Sequence, residues 1–375
     1  MPLVAGPWTM GRVTSPPPLD LPTSLPAARP EPLPGEIAAA WRLDPETIQP
    51  LGAGLINRTF LVREREGAWR VLQQVNPLFP PAVNEDIEAV TTHLERRGLP
   101  TPRLVRTTGG ALCVPAEGGA WRLMTFVPGR VLTAVDRPTL AEAAGALLGR
   151  FHLALDDLAH EFRHVRRPVH EPARHLAALE RAVDAHPGHR LHDAASRLAE
   201  EILAAAAALP ALPATPVRVV HGDPKISNLV FAADRDEGLC LLDLDTLGRM
   251  ALPFELGDAL RSWCNVASED DPGGRFCAER FRAAIRGYGA VAAGWLADEE
   301  GASAVAATAT IQVELAARFC ADVLEESYFG WNPALFPGRG EHNLARARGQ
   351  LAVHRSLLAQ RAVLEAAAAG VFGRD

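Results

Sequence analysis

Val219-Val220-His221-Gly222-Asp223-Pro224-Lys225-Ile226-Ser227-Asn228-Leu229-Val230-Phe231 is the stretch from which the fold is read. An apolar, β-branched run delivers His-Gly-Asp into a loop, Asn228 comes five positions after Asp223, and a second apolar run begins at once. Further on, Leu241-Leu242-Asp243-Leu244-Asp245 sets another acidic group at the end of a strand. Asp, Asn and Gly are ordinary turn residues, and His-Gly-Asp alone would read as a hairpin loop. The full spaced set matches the parts that phosphoryl transfer needs. A carboxylate orients and deprotonates an acceptor hydroxyl, while an amide oxygen and another carboxylate hold the magnesium that neutralises phosphate charge. A cation offsets the charge that develops in transfer, and Lys225 stands two residues past the candidate base.

Lys225 is the only lysine among the 38 basic residues of Lys and Arg type; the rest are arginines. That asymmetry excludes a Gly-Lys-Ser/Thr phosphate loop and leaves Lys225 alone for any Schiff-base chemistry. A formal net charge of -7 argues against non-specific nucleic-acid binding. No apolar run approaches the roughly 18–20 residues of a membrane span, and the proline-scattered start does not read as a secretory signal. Five well-separated cysteines, none in a Cys-x-x-Cys pair, suit a reducing cytoplasm and offer no zinc or disulfide framework. His186, His189 and His192 read as a solvated surface run, and no metal site is assigned to them.

Around the decisive stretch the chain organises into lobes. Residues 1–45, rich in Pro, Ala and Leu, read as a flexible tail. Residues 46–127 read as strand, strand, helix, strand, strand: Phe60-Leu61-Val62 and Arg70-Val71-Leu72 about a turn at Glu66-Gly67, then a helical face of Val83, Ile87, Val90 and Leu94 ended by Gly98, then Arg103–Val105 and Trp121–Met124. After Pro128-Gly129, residues 128–375 are mostly helical, with Leu140, Ala144, Leu147, Leu148, Phe151 and Leu155 at a 3.6-residue period; a β interlude occupies 217–244. The expected fold is α+β and two-lobed, a small antiparallel sheet lobe joined to a large helical lobe with a cleft between.

The ordered motifs resemble the aminoglycoside phosphotransferase/choline kinase family, relatives of the protein kinases, over roughly residues 48 to 365. Gly54–Phe60, Val71–Asn76, Leu241–Thr246, Glu314–Phe329 and Asn343–Leu351 resemble the N-acetylhexosamine 1-kinase branch. The resemblance implies a protein-kinase-like fold, Asp223 as catalytic base, Asn228 and Asp243 as magnesium ligands, His221 as support for the loop, and Asp245 as a supporting partner. It also makes Gly52-Ala53-Gly54-Leu55-Ile56-Asn57 the loop that covers the nucleotide phosphates, where glycine lets backbone N–H groups approach an anion. Thr125 and Val127 become candidates to hydrogen-bond the nucleotide base, with Met124 behind them. Asp258, in a Gly-Asp helix start, would cap that helix and brace the catalytic loop. Arg318 and Tyr328 are candidates for the acceptor pocket.

One departure stands out. The strand that usually carries a phosphate-binding Lys or Arg reads Val71-Leu72-Gln73-Gln74, and a neutral amide supplies no charge. Glu85 or Glu88 on the next helix would pair with that missing cation. The sequence therefore supports a Mg2+-dependent kinase using ATP or GTP, with a small hydroxylated acceptor, foremost the anomeric hydroxyl of an N-acetylhexosamine or related sugar. An aminoglycoside- or choline-like acceptor is the in-family alternative, and a nucleotide-binding pseudokinase is the alternative that Gln73/Gln74 favours. No nucleic-acid or membrane partner is expected, and the location is expected to be cytoplasmic.

Overall fold

The computed structural model describes residues 33–51, 57–164 and 169–373. Its first lobe is a five-stranded antiparallel sheet in the order β1-β2-β3-β5-β4, with β1 at Leu43–Pro50, β2 at Arg58–Glu64, β3 at Trp69–Gln74, β4 at Leu104–Val105 and β5 at Trp121–Thr125. Two-residue alternation sorts the side chains. Phe60, Leu72 and Leu123 lie in register across three strands, as do Leu61, Val71 and Met124 one step on, so the two sets face opposite sides. Helix α1 (Gly35–Ala40) and its exit cover the first side, burying Ile37, Trp41 and Leu43 with Phe60, Val62, Leu72, Trp121 and Leu123. Helix α2 (Val83–Arg96) covers the second with Val83, Ile87, Val90 and Leu94.

The flexible tail expected over residues 1–45 is not what the described part of that span forms. Residues from Leu33 onward belong to the sheet lobe, with Ile37 and Leu43 fully buried. The prolines here do not mark a tail. Pro34 stands just before a helix, and Pro45 and Pro50 lie on β1, an edge strand where a missing N–H breaks no central ladder. Residues 1–32 lie outside the described residues.

The second lobe holds helices α3 (Pro138–Leu155), α4 (Pro172–Ala185), α5 (His192–Ala207), α6 (Leu252–Trp263), α7 (Ala278–Ala292), α8 (Asp298–Ala302), α9 (Ala304–Glu325), α10 (Arg339–Leu358) and α11 (Arg361–Phe372). Short strands complete it: β6 (Arg130–Val131), β7 (Val217–Val220), β8 (Leu229–Phe231) and β9 (Gly238–Leu241) in chain order, then β10 (Gly248–Ala251), which pairs with β7; β6, β8 and β9 form a separate small sheet. Helices α3 and α7 meet at very close range. A Cβ on Gly145 would lie 2.0 Å from the Ala284 carbonyl oxygen, and one on Gly287 would lie 2.0 Å from that of Glu142.

Helix α9 corrects a second expectation. At 22 residues with a mean hydropathy of 1.2 over its most apolar window, it is long and apolar enough to cross a bilayer. In this fold 89% of that window is buried inside the protein, between α4, α5, α6 and α10.

Candidate active site

Strand β7 carries the chain to His221, and α6 fixes the loop beyond it. The buried Glu255 carboxylate accepts the backbone N–H of both His221 (2.8 Å) and Gly222 (2.9 Å). Ser262 Oγ accepts the Ile226 N–H at 3.1 Å, and Trp263 Nε1 donates to the Pro224 carbonyl at 2.9 Å. Gly222 is obligatory. Its φ is +83°, and a Cβ there would sit 2.4 Å from the Thr246 carbonyl oxygen. His221, fully buried, has Nε2 2.7 Å from the Leu242 carbonyl oxygen, so it ties this loop to the Asp243 loop and touches no cleft surface.

Asp223 and Lys225 form an ion pair at 2.5 Å, with 23% and 35% of their side-chain surface exposed. Burial alone would raise the Asp223 carboxyl, but the Lys225 ammonium beside it wins and holds it below the ordinary carboxylate range, with Arg261 and His221 acting the same way. Burial would likewise lower Lys225, and Asp223 and Asp243 reverse that, keeping it firmly protonated. Asn228 donates Nδ2 to the Asp223 carbonyl at 2.8 Å and to its carboxylate at 3.2 Å. The Leu242 N–H bonds to the Asn228 carbonyl at 2.7 Å, which brings Asp243 alongside. Asp243 adopts the left-handed conformation (φ 59°, ψ 59°), uncommon for a non-glycine residue. Burial first, and then the neighbouring Asp245, push its carboxyl up.

Four residues expected at the site thus converge: Asp223, Lys225, Asn228 and Asp243. Carboxylate and amide oxygens are the ligands a hard divalent cation takes, and magnesium needs only one or two protein carboxylates beside phosphate and water. A cation here would offset the burial that pushes the Asp243 carboxyl up. Among the described residues, no group of three or more His, Cys, Asp or Glu side chains forms a closed metal cage.

On the sheet side the assignments change. Gly52 and Gly54 lie outside the described residues. Asn57 is buried, and both ends of its amide are engaged: Nδ2 donates to Asp245 at 2.6 Å and Oδ1 accepts the Asn76 N–H at 2.9 Å. It is a strut between lobes in this geometry, where a nucleotide contact was expected. Gln73 Oε1 accepts from Arg122 Nε and Nη2 at 2.9 and 2.7 Å, and its Nε2 donates to Thr59 at 3.2 Å. Arg122, which no sequence motif singles out, also forks onto Asp245, Nη1 to Oδ1 at 2.5 Å and Nη2 to Oδ2 at 2.9 Å. Arg122 and Asp245 are each 1% exposed. The only sequence signal for Arg122 is a basic residue in the apolar strand Trp121-Arg122-Leu123-Met124.

Neither Glu85 nor Glu88 turns toward β3. Glu85 lies 3.9 Å from Arg163, and Glu88 pairs with Arg106 at 3.1 Å. Thr125 joins β4, its N–H bonded to the Arg103 carbonyl and its Oγ1 accepting the Arg103 N–H, both at 2.8 Å. Its N–H is therefore engaged within the sheet, and Val127 follows half-buried where the lobes meet. Asp258 does not cap a helix, because α6 starts at Leu252. It pairs instead with Arg261 at 2.8 Å, and Arg261 in turn reaches Glu269 at 2.6 Å.

Arg318 and Tyr328 do come together, the guanidinium carbon lying 5.9 Å from the Tyr328 ring centre and 5.6 Å from that of Phe329. The buried Asp322 shapes this corner by accepting the N–H groups of Ser327, Tyr328 and Phe329 at 2.9, 2.9 and 2.8 Å. His170, 3.1 Å from Glu314 and 4.0 Å from Asp258, stands between α9 and the Asp258-Arg261 pair.

A two-lobed kinase architecture with a His-Gly-Asp loop, an Asn five residues on and an Asp-x-Asp turn defines a small-molecule phosphotransferase. The chain belongs to the phosphotransferase enzyme family, whose model matches residues 47–297. It is 28% identical over 249 residues to a homoserine kinase of Xanthobacter autotrophicus (strain ATCC BAA-1158 / Py2), covering 64% of this chain and 70% of that protein. In fold it is similar to a microcompartment-associated aminopropanol kinase (TM-score 0.58, 15% identity, 87% of this chain and 96% of that one). It is also similar to an amicoumacin kinase solved with AMP-PNP and Ca2+ (TM-score 0.57, 17% identity, 84% and 91%). A third similar structure is an aminoglycoside phosphotransferase of Alicyclobacillus acidocaldarius (TM-score 0.55, 16% identity, 90% and 98%). The chain is an O-phosphotransferase acting on a small molecule.

Proposed function

We propose that the chain uses Mg2+ and ATP or GTP to phosphorylate a hydroxyl of a small polar acceptor, with Asp223 as the base. The observation that carries this reading is the convergence of Asp223, Lys225, Asn228 and Asp243 from two loops that α6 and His221 hold together. Asn228 and Asp243 would hold the metal; metal and nucleotide supply, when bound, the phosphoryl group and part of the charge that stabilises its transfer. Asp223, kept ionised by Lys225, accepts a hydrogen bond from the acceptor hydroxyl, aligns it and takes its proton. Lys225 keeps a fixed positive charge in the cleft.

For the acceptor, the aromatic and guanidinium corner of Arg318, Tyr328 and Phe329 supports a sugar, since ring faces and directional donors suit a neutral polyol. The anomeric hydroxyl of an N-acetylhexosamine is the form of that reading the sequence resemblance supports. The likeness to a homoserine kinase supports a second reading, an amino alcohol or hydroxy amino acid. A ³¹P NMR screen of N-acetylhexosamines, homoserine, amino alcohols and aminoglycosides with Mg-ATP and Mg-GTP separates them. An anomeric phosphate supports the sugar, and an alkyl phosphomonoester supports the amino alcohol. No transfer to any acceptor despite tight nucleotide binding would instead mark a pseudokinase.

A further inference from the structure

We propose that Arg122 is a positioning residue of the phosphotransfer site: it supplies, one strand to the side, the positive charge that β3 lacks, and uses it to hold the Asp243-Leu244-Asp245 turn against the sheet lobe. This role presupposes the kinase reading of the site. Gln73 and Arg122 are direct partners in the antiparallel register of β3 and β5, and Thr59 completes the row on β2. The guanidinium thus occupies the same row of the sheet in which a β3 cation would stand, on the side facing the second lobe. Gln73 accepts two of its N–H groups and fixes its plane, and Asp245 accepts two more across the lobe boundary.

Three features give the pair a task beyond stability. A buried ion pair is a weak stabiliser compared with apolar packing, though costly to break from one side, so its retention here is better explained by geometry. Asp245 is two residues past Asp243, whose left-handed backbone must be held by its surroundings. The bidentate fork, together with the Asn57 bond to the same carboxylate, fixes Asp245 from β5 and from the residue preceding β2 at once. The two aspartates are thereby divided: Asp245 is engaged by protein donors, and Asp243 lies near Lys225 and Asp223. Glu85 lies beside Arg163, and Glu88 pairs with Arg106 and the half-buried Arg103, so among the described residues neither of them competes for Arg122.

The test is the Mg2+ dependence of fluorescent ATP-analogue binding, alongside kcat and KM, in Arg122→Gln, Arg122→Lys and the swap Gln73→Lys/Arg122→Gln. In Arg122→Gln the Mg2+ concentration that half-saturates nucleotide binding should rise at least tenfold and kcat fall at least a hundredfold, with the acceptor KM changed less than threefold. Arg122→Lys, lacking the fork, should show at least a threefold metal shift, and the swap should recover at least tenfold of the kcat lost in Arg122→Gln. A purely structural residue would lower the melting temperature and leave the metal half-saturation of the folded protein within twofold of wild type; that result overturns the proposal. Should Arg122→Gln not fold, Arg122→Lys carries the decision, an unshifted metal dependence there again overturning it. The binding arm needs no acceptor, so a wild type that binds Mg-nucleotide but phosphorylates nothing removes the catalytic reading while this arm still decides. A wild type that binds no Mg-nucleotide removes both.

Discussion

Asp223 sits under Lys225 with Asn228 bonded to its carboxylate, so its negative charge is fixed before an acceptor arrives. Asp223→Asn keeps the shape and removes the base: turnover should fall by three or more orders of magnitude, about 4 kcal/mol of barrier or more, with nucleotide affinity changed only a few-fold. Steady-state kinetics paired with a binding titration check both halves. Lys225→Ala should impair transfer strongly, and Lys225→Arg should keep part of it, because charge survives and the compact single-point contact with Asp223 does not. Full activity in Lys225→Ala would make the solitary lysine a coincidence. These residues were legible because their motif is nearly contiguous, from His221 to Asn228, with Asp243 and Asp245 one hairpin later. Arg122 was not legible. Its partner Asp245 is 123 positions away, and nothing in a five-residue apolar strand says which way its one basic side chain will find a carboxylate. Asn57 and Asp258 were found as polar residues near the right loops, but their partners, Asp245 and Arg261, decide their roles.

At the scale of elements, α6 is the scaffold of the catalytic loop, and Glu255 is its main anchor. Its carboxylate is fully buried and accepts two backbone N–H groups, and His152 stands 3.5 Å away. Glu255→Gln turns one acceptor into a donor facing those amides. Each charge-assisted bond is worth about 1.5–3 kcal/mol, so urea unfolding should show a loss of about 3 kcal/mol, together with a reduced kcat from a loosened loop. Helices α3 and α7 depend on the mutual approach at Gly145 and Gly287. Gly287→Ala would press a methyl onto the Glu142 carbonyl and force the helices apart, costing about 1–3 kcal/mol; a midpoint unchanged in denaturant would show that the contact yields freely. Helices α2 and α3 were legible from their 3.6-residue period: the face of Val83, Ile87, Val90 and Leu94 lies on α2, and that of Leu140 to Leu155 lies on α3. Helix α1 and strand β1 were not, because six helical residues and a proline-bearing edge strand carry too little periodicity, and only the buried Ile37, Trp41 and Leu43 explain their order.

The whole molecule joins a sheet lobe to a helical lobe through buried polar links: Arg122 and Asn57 to Asp245, and Asp86 on α2 to the His160 ring and to the backbone of Arg163 and His164. These polar links accompany a continuous apolar core that runs from α2 and β5 into the helical lobe and carries the fold's stability. Part of that stability depends on pH. Burial pushes His354 on α10 down to about 4, against a hydrogen bond to the Ala309 carbonyl and with Arg355 acting in the same direction as burial. The unfolded chain takes up this proton below about pH 6.5 and the folded one refuses it, so the contribution is present above 6.5 and lost as pH falls toward 4. The slope is about 1.4 kcal/mol per pH unit for one proton, and urea titrations from pH 7 to 5 should lose about 2 kcal/mol through this residue. His354→Leu should flatten that segment of the profile; an unchanged slope would assign it to other groups. Function belongs to the same scale, because transfer needs both lobes, both loops and an acceptor together. The most direct test of the phosphotransferase account is ³¹P NMR of the wild type and Asp223→Asn, each with Mg-nucleotide and the acceptor panel. A new phosphomonoester resonance from the wild type, absent from a variant that still binds Mg-nucleotide, is the predicted result. Equal product from both proteins would contradict the account.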